Sequence, residues 1–266
     1  MSHLQRDTDV PVALITGGSG GIGYAIAAVL ARKTFAVVIT ARDMQRLEDA
    51  ASRLRKNSQG VIEALHSDAT DQNSVDHLIA SVLERFGRID LLVNCAASTS
   101  SVSGDVAQIE VDAILDDLNT KVCGYLRYTR AVTPAMTSQQ AGRIVNIGGL
   151  TGRNSDTLSG MRNVAVTHMT KALSDALGPK GVTVNALHPG IVRTPHLDEL
   201  FEELAHDGQC TIEDVAEDFI SRIPLRRVID AEEIGDVVAF LASPAGASIT
   251  GESIAIDGGF SRGIYL

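Results

Sequence analysis

Short apolar runs alternate along the chain with longer segments in which apolar residues recur every three or four positions. The short runs predict strands, and the longer periodic segments predict helices. The predicted strands are Val12–Thr16, Phe35–Thr40, Val61–Ser67, Leu91–Asn94, Arg143–Ile147, Val182–Leu187 and Ser253–Ile256. The predicted helices are Ile22–Lys33, Asp43–Leu54, Ser74–Phe86, Asp112–Met136, Ser159–Leu177 and Glu232–Leu241. This alternation indicates βαβ units and therefore an α/β fold, a doubly wound parallel sheet with helices on both faces.

The same alternation predicts one domain over residues 1–266, because no repeat, low-complexity tract or interdomain linker interrupts it. Residues 195–223 depart from the regular pattern. We interpret this insertion, which follows a late strand, as a substrate lid, and a helical excursion on the surface is the alternative.

Composition limits the classes of partner. The net charge is −10 and no run of Lys or Arg is present, so nucleic acid is not an expected partner. The longest apolar runs have the length of strands, and the polar N-terminus lacks the apolar core of a signal peptide, so no membrane association is expected. Three scattered cysteines predict no disulfide framework and indicate a reduced, cytoplasmic setting. No His or Cys pair has the spacing of metal ligands.

A glycine-rich segment, Thr16–Gly23, lies between the first predicted strand and the first predicted helix. Glycine permits the tight turn and lets backbone N–H groups approach a pyrophosphate, while the start of the helix adds partial positive charge. This arrangement predicts a Rossmann-type dinucleotide site. The residues expected to bind the pyrophosphate are Gly17, Ser19, Gly20, Gly21, Ile22 and Gly23.

The end of the second predicted strand bears on the choice between NADP and NAD. An arginine there favours the 2′-phosphate of NADP, whereas an acidic residue would bind the ribose hydroxyl of NAD. The chain has Arg42 followed by Asp43, and Asp43 also suits the N-cap of the next helix. The pattern therefore favours NADP, and NAD stays the alternative.

Five motifs in order resemble the short-chain dehydrogenase/reductase family over nearly the whole chain. They are the glycine segment, Ser67–Asp71, Asn94–Ala97, His188–Pro195 and Gly251–Gly259. The resemblance implies that Asp68 and Ala69 lie at the adenine, and that Asn94 and Ala96 line the cofactor groove. It also implies that Pro189, Gly190, Val192 and Thr194 lie near the nicotinamide amide. Members are often dimers or tetramers, so a homodimer or homotetramer is expected.

The resemblance also implies a catalytic tetrad, a Tyr and a Lys one helical turn apart with a Ser and an Asn, and here the chain departs from the family. No Tyr lies between Tyr128 and Tyr265. Counting back from the sixth predicted strand places Ser159 at the Tyr position and Asn163 at the Lys position. The Ser position falls on Gly149 and the Asn position on Lys121. Other registers would use Thr167 with Lys171, Thr151 or Asn119.

These changes leave three hypotheses open. The first is an atypical NADP(H)-dependent oxidoreductase that acts on a small organic substrate, an iminium, an activated alkene or a carbonyl, with non-standard proton handling. The second is a non-redox cyclase or isomerase in which NADP is a structural element. The third is a cofactor-binding pseudoenzyme or partner subunit.

The candidate site residues are those at or near the changed positions. They are Lys121, Ser159, Asn163 and Asp156, with Tyr125, Arg153, Arg162 and His188 as further candidates. A desolvated lysine can act as an acid, so Lys121 leads, and a structural lysine paired with a carboxylate or a strand-end carbonyl is the alternative. For Tyr125 the alternative is core packing, for Arg153, Asp156 and Arg162 surface charge, and for His188 a hydrogen-bonded structural role.

Overall fold

Seven parallel strands form one sheet in the order β3-β2-β1-β4-β5-β6-β9. The computed structural model describes residues 10–98, 102, 105–152 and 157–263. The strands of this sheet are β1 (Val12–Thr16), β2 (Ala36–Ala41), β3 (Ile62–His66), β4 (Leu91–Asn94), β5 (Gly142–Ile147), β6 (Val182–Pro189) and β9 (Ser253–Ile256). A two-stranded parallel ribbon adds β7 (Val192–Arg193) and β8 (Ile229–Asp230). The predicted doubly wound α/β fold is confirmed.

Helices cover both faces of the sheet, and this explains why the strands read as continuous apolar runs. The helices are α1 (Gly21–Ala31), α2 (Met44–Lys56), α3 (Gln72–Phe86), α4 (Val111–Leu118), α5 (Gly124–Gln139), α6 (Gly160–Leu177), α7 (Pro195–Gly208), α8 (Ile212–Ser221) and α9 (Ala231–Ala242). One core layer joins the sheet to α1, α2 and α9, and the other joins it to α3, α5 and α6. None of the helices described has the length and apolar character that a membrane span needs.

The main difference from the predicted elements concerns the long helix 112–136. It is divided into α4 and α5 by one π-helical turn, Asn119–Cys123, which the apolar spacing does not indicate. A π turn widens the helix by one residue and redirects the side chains that it carries. The turn carries Lys121, which it places in the interior of the protein.

Residues 195–223, where the insertion was predicted, contain α7 and α8. The two helices pack on each other through a small apolar cluster, and the ring centroids of Phe201 and Phe219 are 5.1 Å apart. A capping box at Thr211 and Asp214 fixes the start of α8.

The strand order reverses between β1 and β4, which pair with each other at the centre of the sheet. In open parallel sheets, ligands bind in the crevice outside the carboxyl ends of the strands at such a point. The glycine segment after β1 and the residues after β4, β5 and β6 all lie at this edge. The fold therefore gathers the predicted site residues on one side of the molecule.

Candidate active site

The glycine segment folds tightly onto the end of β2. The N–H groups of Gly17 and Gly18 both donate to the Thr40 carbonyl, at 2.8 and 3.2 Å. Gly17 has φ +70°, and a Cβ on Gly23 would lie 2.4 Å from the Gly17 carbonyl oxygen. These positions require glycine, because any side chain would strain the backbone or open the turn.

The start of α1 has the features of an anion site. Its N-cap, Gly20, supplies no side-chain hydrogen bond, so the first N–H groups of the helix keep their donor capacity. A Cβ built on Gly21 would meet no heavy atom within 4 Å, which leaves open space beside those donors. Free N–H donors at the start of a helix with open space beside them are suited to a pyrophosphate.

Residues at the ends of β1 and β4 join the glycine segment to the centre of the sheet. The Thr16 hydroxyl accepts hydrogen bonds from the N–H groups of Cys95 and Ala96, at 2.9 and 3.0 Å. Asn94 is fully buried, and its amide donates to the Asn146 side chain at 2.8 Å. Ala96 is therefore held beside the glycine segment, whereas the Asn94 side chain joins β4 to β5.

Two residues at the end of β2 have defined surroundings. Asp43 caps α2, since its carboxylate accepts from the Arg46 N–H at 3.0 Å. Asp43 therefore has the helix-capping role that the sequence offered as one alternative, and Arg42 is exposed at the strand end. Arg42 also lines a cavity of about 480 Å³ together with residues of α4.

Asp68 and Ala69 follow β3. The Asp68 carboxylate accepts from both the N–H and the hydroxyl of Thr70, each at 2.8 Å. Burial alone would raise the pKa of Asp68, but these hydrogen bonds and the nearby charges of Arg42 and His66 outweigh it and hold the pKa below its usual value. Asp68 is therefore a fixed carboxylate at neutral pH.

The segment after β6 is held close to β9. The Gly190 N–H donates to the Ile256 carbonyl at 2.9 Å, and a Cβ on Gly190 would lie 2.7 Å from the Asp257 Cα. Pro189 ends β6, Val192 begins β7, and Thr194 is the N-cap of α7 with no side-chain capping bond. His188 is buried against Thr167 and Gly149, which is the structural role that the sequence offered as its alternative.

Lys121 lies at the centre of the site and is only 4% exposed. Its Nζ donates to the Gly148 carbonyl and to the Asn163 side-chain oxygen, both at 2.8 Å. The strand-end carbonyl expected for a structural lysine is thus present, together with a second acceptor from α6. An ammonium has three donors, so these two contacts leave one for another acceptor.

Burial lowers the pKa of Lys121 to about 7, because the charged form loses its hydration. The positive charge of Arg162 lowers it further, whereas the negative charge of Asp117 acts in the opposite direction. The two hydrogen bonds persist in the neutral form, since a neutral amine still has two N–H donors. Lys121 can therefore gain and lose a proton near neutral pH without losing its position.

Asn163 and Gly149 fit each other sterically. The Asn163 amide donates to the Thr151 hydroxyl at 2.8 Å, so Thr151 does turn toward the site. A Cβ on Gly149 would lie 2.8 Å from the Asn163 Nδ2. The amide thus occupies the space that a side chain at position 149 would need, and a serine there would displace it.

Ser159 lies at the N-cap of α6 and is buried. Its hydroxyl accepts a hydrogen bond from the Val102 N–H at 2.8 Å, and the Leu158 N–H donates to the Val102 carbonyl. The segment after β4 is therefore tied to the start of α6 through Val102.

The remaining candidates take separate positions. The Tyr125 hydroxyl donates to the Ile147 carbonyl at 2.9 Å inside the core, so Tyr125 has the packing role given as its alternative. The Asn119 side chain accepts from Arg127. Arg162 is largely buried and forms an ion pair with Asp117, so the surface-charge alternative for Arg162 is wrong. Asp156 and Arg153 lie outside the described residues.

A family model described as enoyl-(acyl carrier protein) reductase matches residues 17–261. The chain belongs to the short-chain dehydrogenase/reductase family. The short-chain reductase protein NovJ of Streptomyces niveus is 34% identical over 251 residues, which are 93% of each chain. The NADPH-dependent reductase BacG of Bacillus subtilis is 31% identical over 257 residues, 95% of this chain and 98% of BacG.

Solved structures give the same family assignment. The structure of a variant actinorhodin polyketide ketoreductase with NADPH superposes with a TM-score of 0.89 and 30% identity, covering 97% of this chain and all 100% of the ketoreductase. The similarity to a family member therefore extends over nearly the full length of both chains.

Two contacts in the candidate site of this chain are not predicted by its sequence. Val102 contacts Ser159 through its backbone, and a backbone contact leaves no mark in a single sequence. Asp117 pairs with Arg162, and here a signal was available: Asp117 lies four residues before Lys121, a spacing that places two side chains on one helix face.

Proposed function

We propose that this chain is an NADP(H)-dependent oxidoreductase that acts on a small organic substrate, with the Lys121 amine in place of the family's tyrosine as the proton-exchanging group. The observation that carries this proposal is the buried amine of Lys121, bonded to Gly148 and Asn163. A general acid works best when its pKa lies near the working pH, and burial gives Lys121 a pKa of about 7.

The cofactor assignment rests on the groove residues and on the relatives. BacG is named an NADPH-dependent reductase, and the ketoreductase structure contains NADPH. In this chain the exposed Arg42 suits a 2′-phosphate better than a bare hydroxyl. The residues proposed to hold the cofactor are Gly17, Ser19, Gly20, Gly21, Ile22, Gly23, Arg42, Asp68, Ala69, Ala96, Pro189, Gly190, Val192 and Thr194, with Asn94 as a support beneath them. A bound nicotinamide supplies or accepts a hydride at its ring carbon.

The usual tetrad is replaced in this proposal. The family's Asn and Lys positions correspond to Lys121 and Asn163, so the ammonium and the amide have exchanged helices. The direct contact of 2.8 Å between the two side chains keeps both groups at one place. Ser159, at the family's Tyr position, supplies no phenol, and Gly149, at the family's Ser position, supplies no hydroxyl. The buried Ser159 hydroxyl accepts a hydrogen bond from the Val102 N–H.

Proton handling then depends on the substrate. When a carbonyl is reduced, its oxygen gains a proton, which the Lys121 ammonium donates while it becomes a neutral amine. An iminium already carries the positive charge, so it needs no proton and is repelled by a charged Lys121. Carbonyl reduction should therefore slow as the pH rises through about 7, and iminium reduction should accelerate.

The rest of the molecule supports the site in this proposal. Residues 1–266 act as one domain, and α7 and α8 within residues 195–223 form a lid over the substrate. The separate apolar cluster of Phe201, Ala205 and Val215 would let the two helices move as a unit. A homodimer or homotetramer in the cytoplasm is the expected working form, and Asp156 remains a candidate for substrate contact.

The proposal is tested with deuterated NADPH and a panel of ketones, cyclic iminium ions and activated alkenes. We expect the label in the product, and Lys121→Met should lower carbonyl turnover by about 10²- to 10⁴-fold. Lys121→Arg keeps the charge but cannot release a proton at neutral pH, so it should be equally slow.

The exposed Lys180→Met is the matched control and should retain full turnover. Label retained on the cofactor while product forms would contradict a redox role and favour the cyclase or isomerase hypothesis. Absence of NADPH binding would overturn the proposal as a whole.

A further inference from the structure

We propose that the buried ion pair of Asp117 and Arg162 is a positioning unit for Lys121, which holds α4 and α6 in register and sets the charge that the Lys121 amine experiences. This inference deepens the role of Lys121 and therefore rests on the proposed function. Neither residue is assigned contact with substrate or cofactor.

The pair joins the two helices that build the site. Asp117 lies in α4, four residues before Lys121, and Arg162 lies in α6, one residue before Asn163. Their side chains are only 8% and 14% exposed, and Arg162 also donates to the Ser98 carbonyl after β4. One guanidinium thus ties α6 to both α4 and the β4 loop, directly beside the contact between Lys121 and Asn163.

A buried ion pair of this kind is weak evidence for a contribution to stability alone. Removing both charges costs little when the replacement packs well, whereas removing one leaves an uncompensated charge in the interior. The Nε of Arg162 is buried without a hydrogen-bond partner among the described residues, so the pair is not optimised for stability. The pair lies beside an amine that titrates near neutral pH, so its charges act on the protonation of Lys121.

The two charges act on Lys121 in opposite directions. Arg162 lowers the pKa of Lys121 and Asp117 raises it, so the intact pair leaves burial as the dominant influence. The other ionisable groups near the amine are Cys95 after β4 and Tyr125 on α5, and burial raises the pKa of both. His188 on β6 faces the site from behind Gly149. Cys95 and Tyr125 are therefore uncharged at neutral pH. Among the described residues near the amine, Asp117 and Arg162 are the charged groups that shift the pKa of Lys121.

Direct titration tests the inference without any substrate. The chain has five lysines, Lys33, Lys56, Lys121, Lys171 and Lys180, so NMR of protein labelled with ¹³C and ¹⁵N in lysine resolves few signals. The signal absent from Lys121→Met belongs to Lys121. We expect Asp117→Asn to lower the pKa of Lys121, and Arg162→Met to raise it, each by about one pH unit.

The double variant Asp117→Asn/Arg162→Met should place the Lys121 titration between those of the two single variants, because both opposing charges are gone. Arg162→Lys keeps the charge without the planar fork and should shift it less than Arg162→Met, which gives a reading even if Arg162→Met does not fold. Arg32→Met, which removes an exposed arginine paired with Glu232, is the control and should leave the titration unchanged.

Shifts in the same direction for Asp117→Asn and Arg162→Met, or no shift in either, would overturn the inference. A merely structural pair would destabilise both single variants without opposite shifts in the Lys121 titration. Because this measurement needs no turnover, its failure is distinct from failure of the proposed reductase activity.

Discussion

At the scale of single residues, Lys121 links the chemistry of the site to the stability of the fold. Its pKa is about 7 in the folded protein, and an unfolded chain restores the ordinary lysine pKa of about 10.4. Between these values the unfolded state binds one more proton than the folded state. Linkage then requires the free energy of unfolding to rise with pH across this window and to be independent of Lys121 below it.

We therefore expect the stability of the wild type, measured relative to Lys121→Met, to increase between pH 7 and 10 by at most about 1.4 kcal/mol per pH unit. Urea unfolding at several pH values measures this slope. Lys180→Met, which removes an exposed lysine, should run parallel to the wild type. A constant difference between wild type and Lys121→Met would show that the buried amine stays charged and would contradict its proposed role.

How far the sequence predicts single residues depends on the range of their contacts. Asp43 as an N-cap and the glycines of the β1–α1 turn follow from neighbours within a few positions, and both have the predicted geometry. The contact of Thr151 with Asn163 and that of Val102 with Ser159 join segments far apart in the chain. Such contacts depend on the packing of α6, which the spacing of apolar residues does not specify.

At the scale of elements, the π turn and α6 together present one ammonium and one amide. Lys121→Asn should remove the ammonium, and Asn163→Lys should force two ammonium groups to within contact distance, since the present pair is 2.8 Å apart. The exchange variant Lys121→Asn/Asn163→Lys restores one group of each kind. Because Lys121 is bonded to the Gly148 carbonyl at this edge of the sheet, we expect each single variant to disturb the groove and weaken NADPH binding about 10-fold or more. The exchange variant should recover most of this loss, a coupling of about 1–3 kcal/mol.

NADPH fluorescence titration measures the binding, and thermal unfolding of the same three variants monitors the fold. Two ammonium groups in a buried space repel each other, so Asn163→Lys should be the least stable of the three. An exchange variant that binds no better than the worse single variant would show that the two positions are not equivalent.

The sequence predicts long elements well and short ones poorly. The seven sheet strands follow apolar runs and are found within one or two residues of their predicted ends. The ribbon of β7 and β8 has two residues in each strand, which are too few to form a recognisable apolar run. The π turn at Asn119–Cys123 lies within a continuous helical pattern. Apolar residues recur there every three or four positions, and this spacing does not reveal one extra residue in a single turn.

At the scale of the whole molecule, the parallel sheet explains why distant segments form one site. The residues after β1, β4, β5 and β6 reach the same edge because all of these strands run in the same direction. The strand order places β4 and β5 between the glycine segment and the β6 segment. Lys121 lies in the π turn between α4 and α5, and its side chain reaches this edge of the sheet from the helical layer. Its position therefore depends on how α4 and α5 pack rather than on the sheet.

The helices that carry the site also have exposed apolar side chains. Val111 and Leu115 on α4 are 65% and 56% exposed, and Met161 and Val164 on α6 are 50% and 54% exposed. Each pair has the spacing of one helix face. Exposed apolar side chains grouped on a helix face are typical of a contact between protein chains, so we propose that a homodimer or homotetramer forms through α4 and α6.

We expect the wild type to have the mass of a dimer or tetramer and Leu115→Glu/Val164→Glu to have a smaller mass, because four or more buried carboxylates in a symmetric interface cannot be compensated. Light scattering coupled to size exclusion measures the mass. Val61→Glu, which changes an apolar side chain that is 48% exposed before β3, is the control and should leave the mass unchanged. Because α4 and α6 also hold Asp117 and Arg162, dissociation should loosen the Lys121 site as well. A wild type with the mass of a monomer would contradict the proposed assembly, and an unchanged mass in Leu115→Glu/Val164→Glu would contradict an interface through α4 and α6.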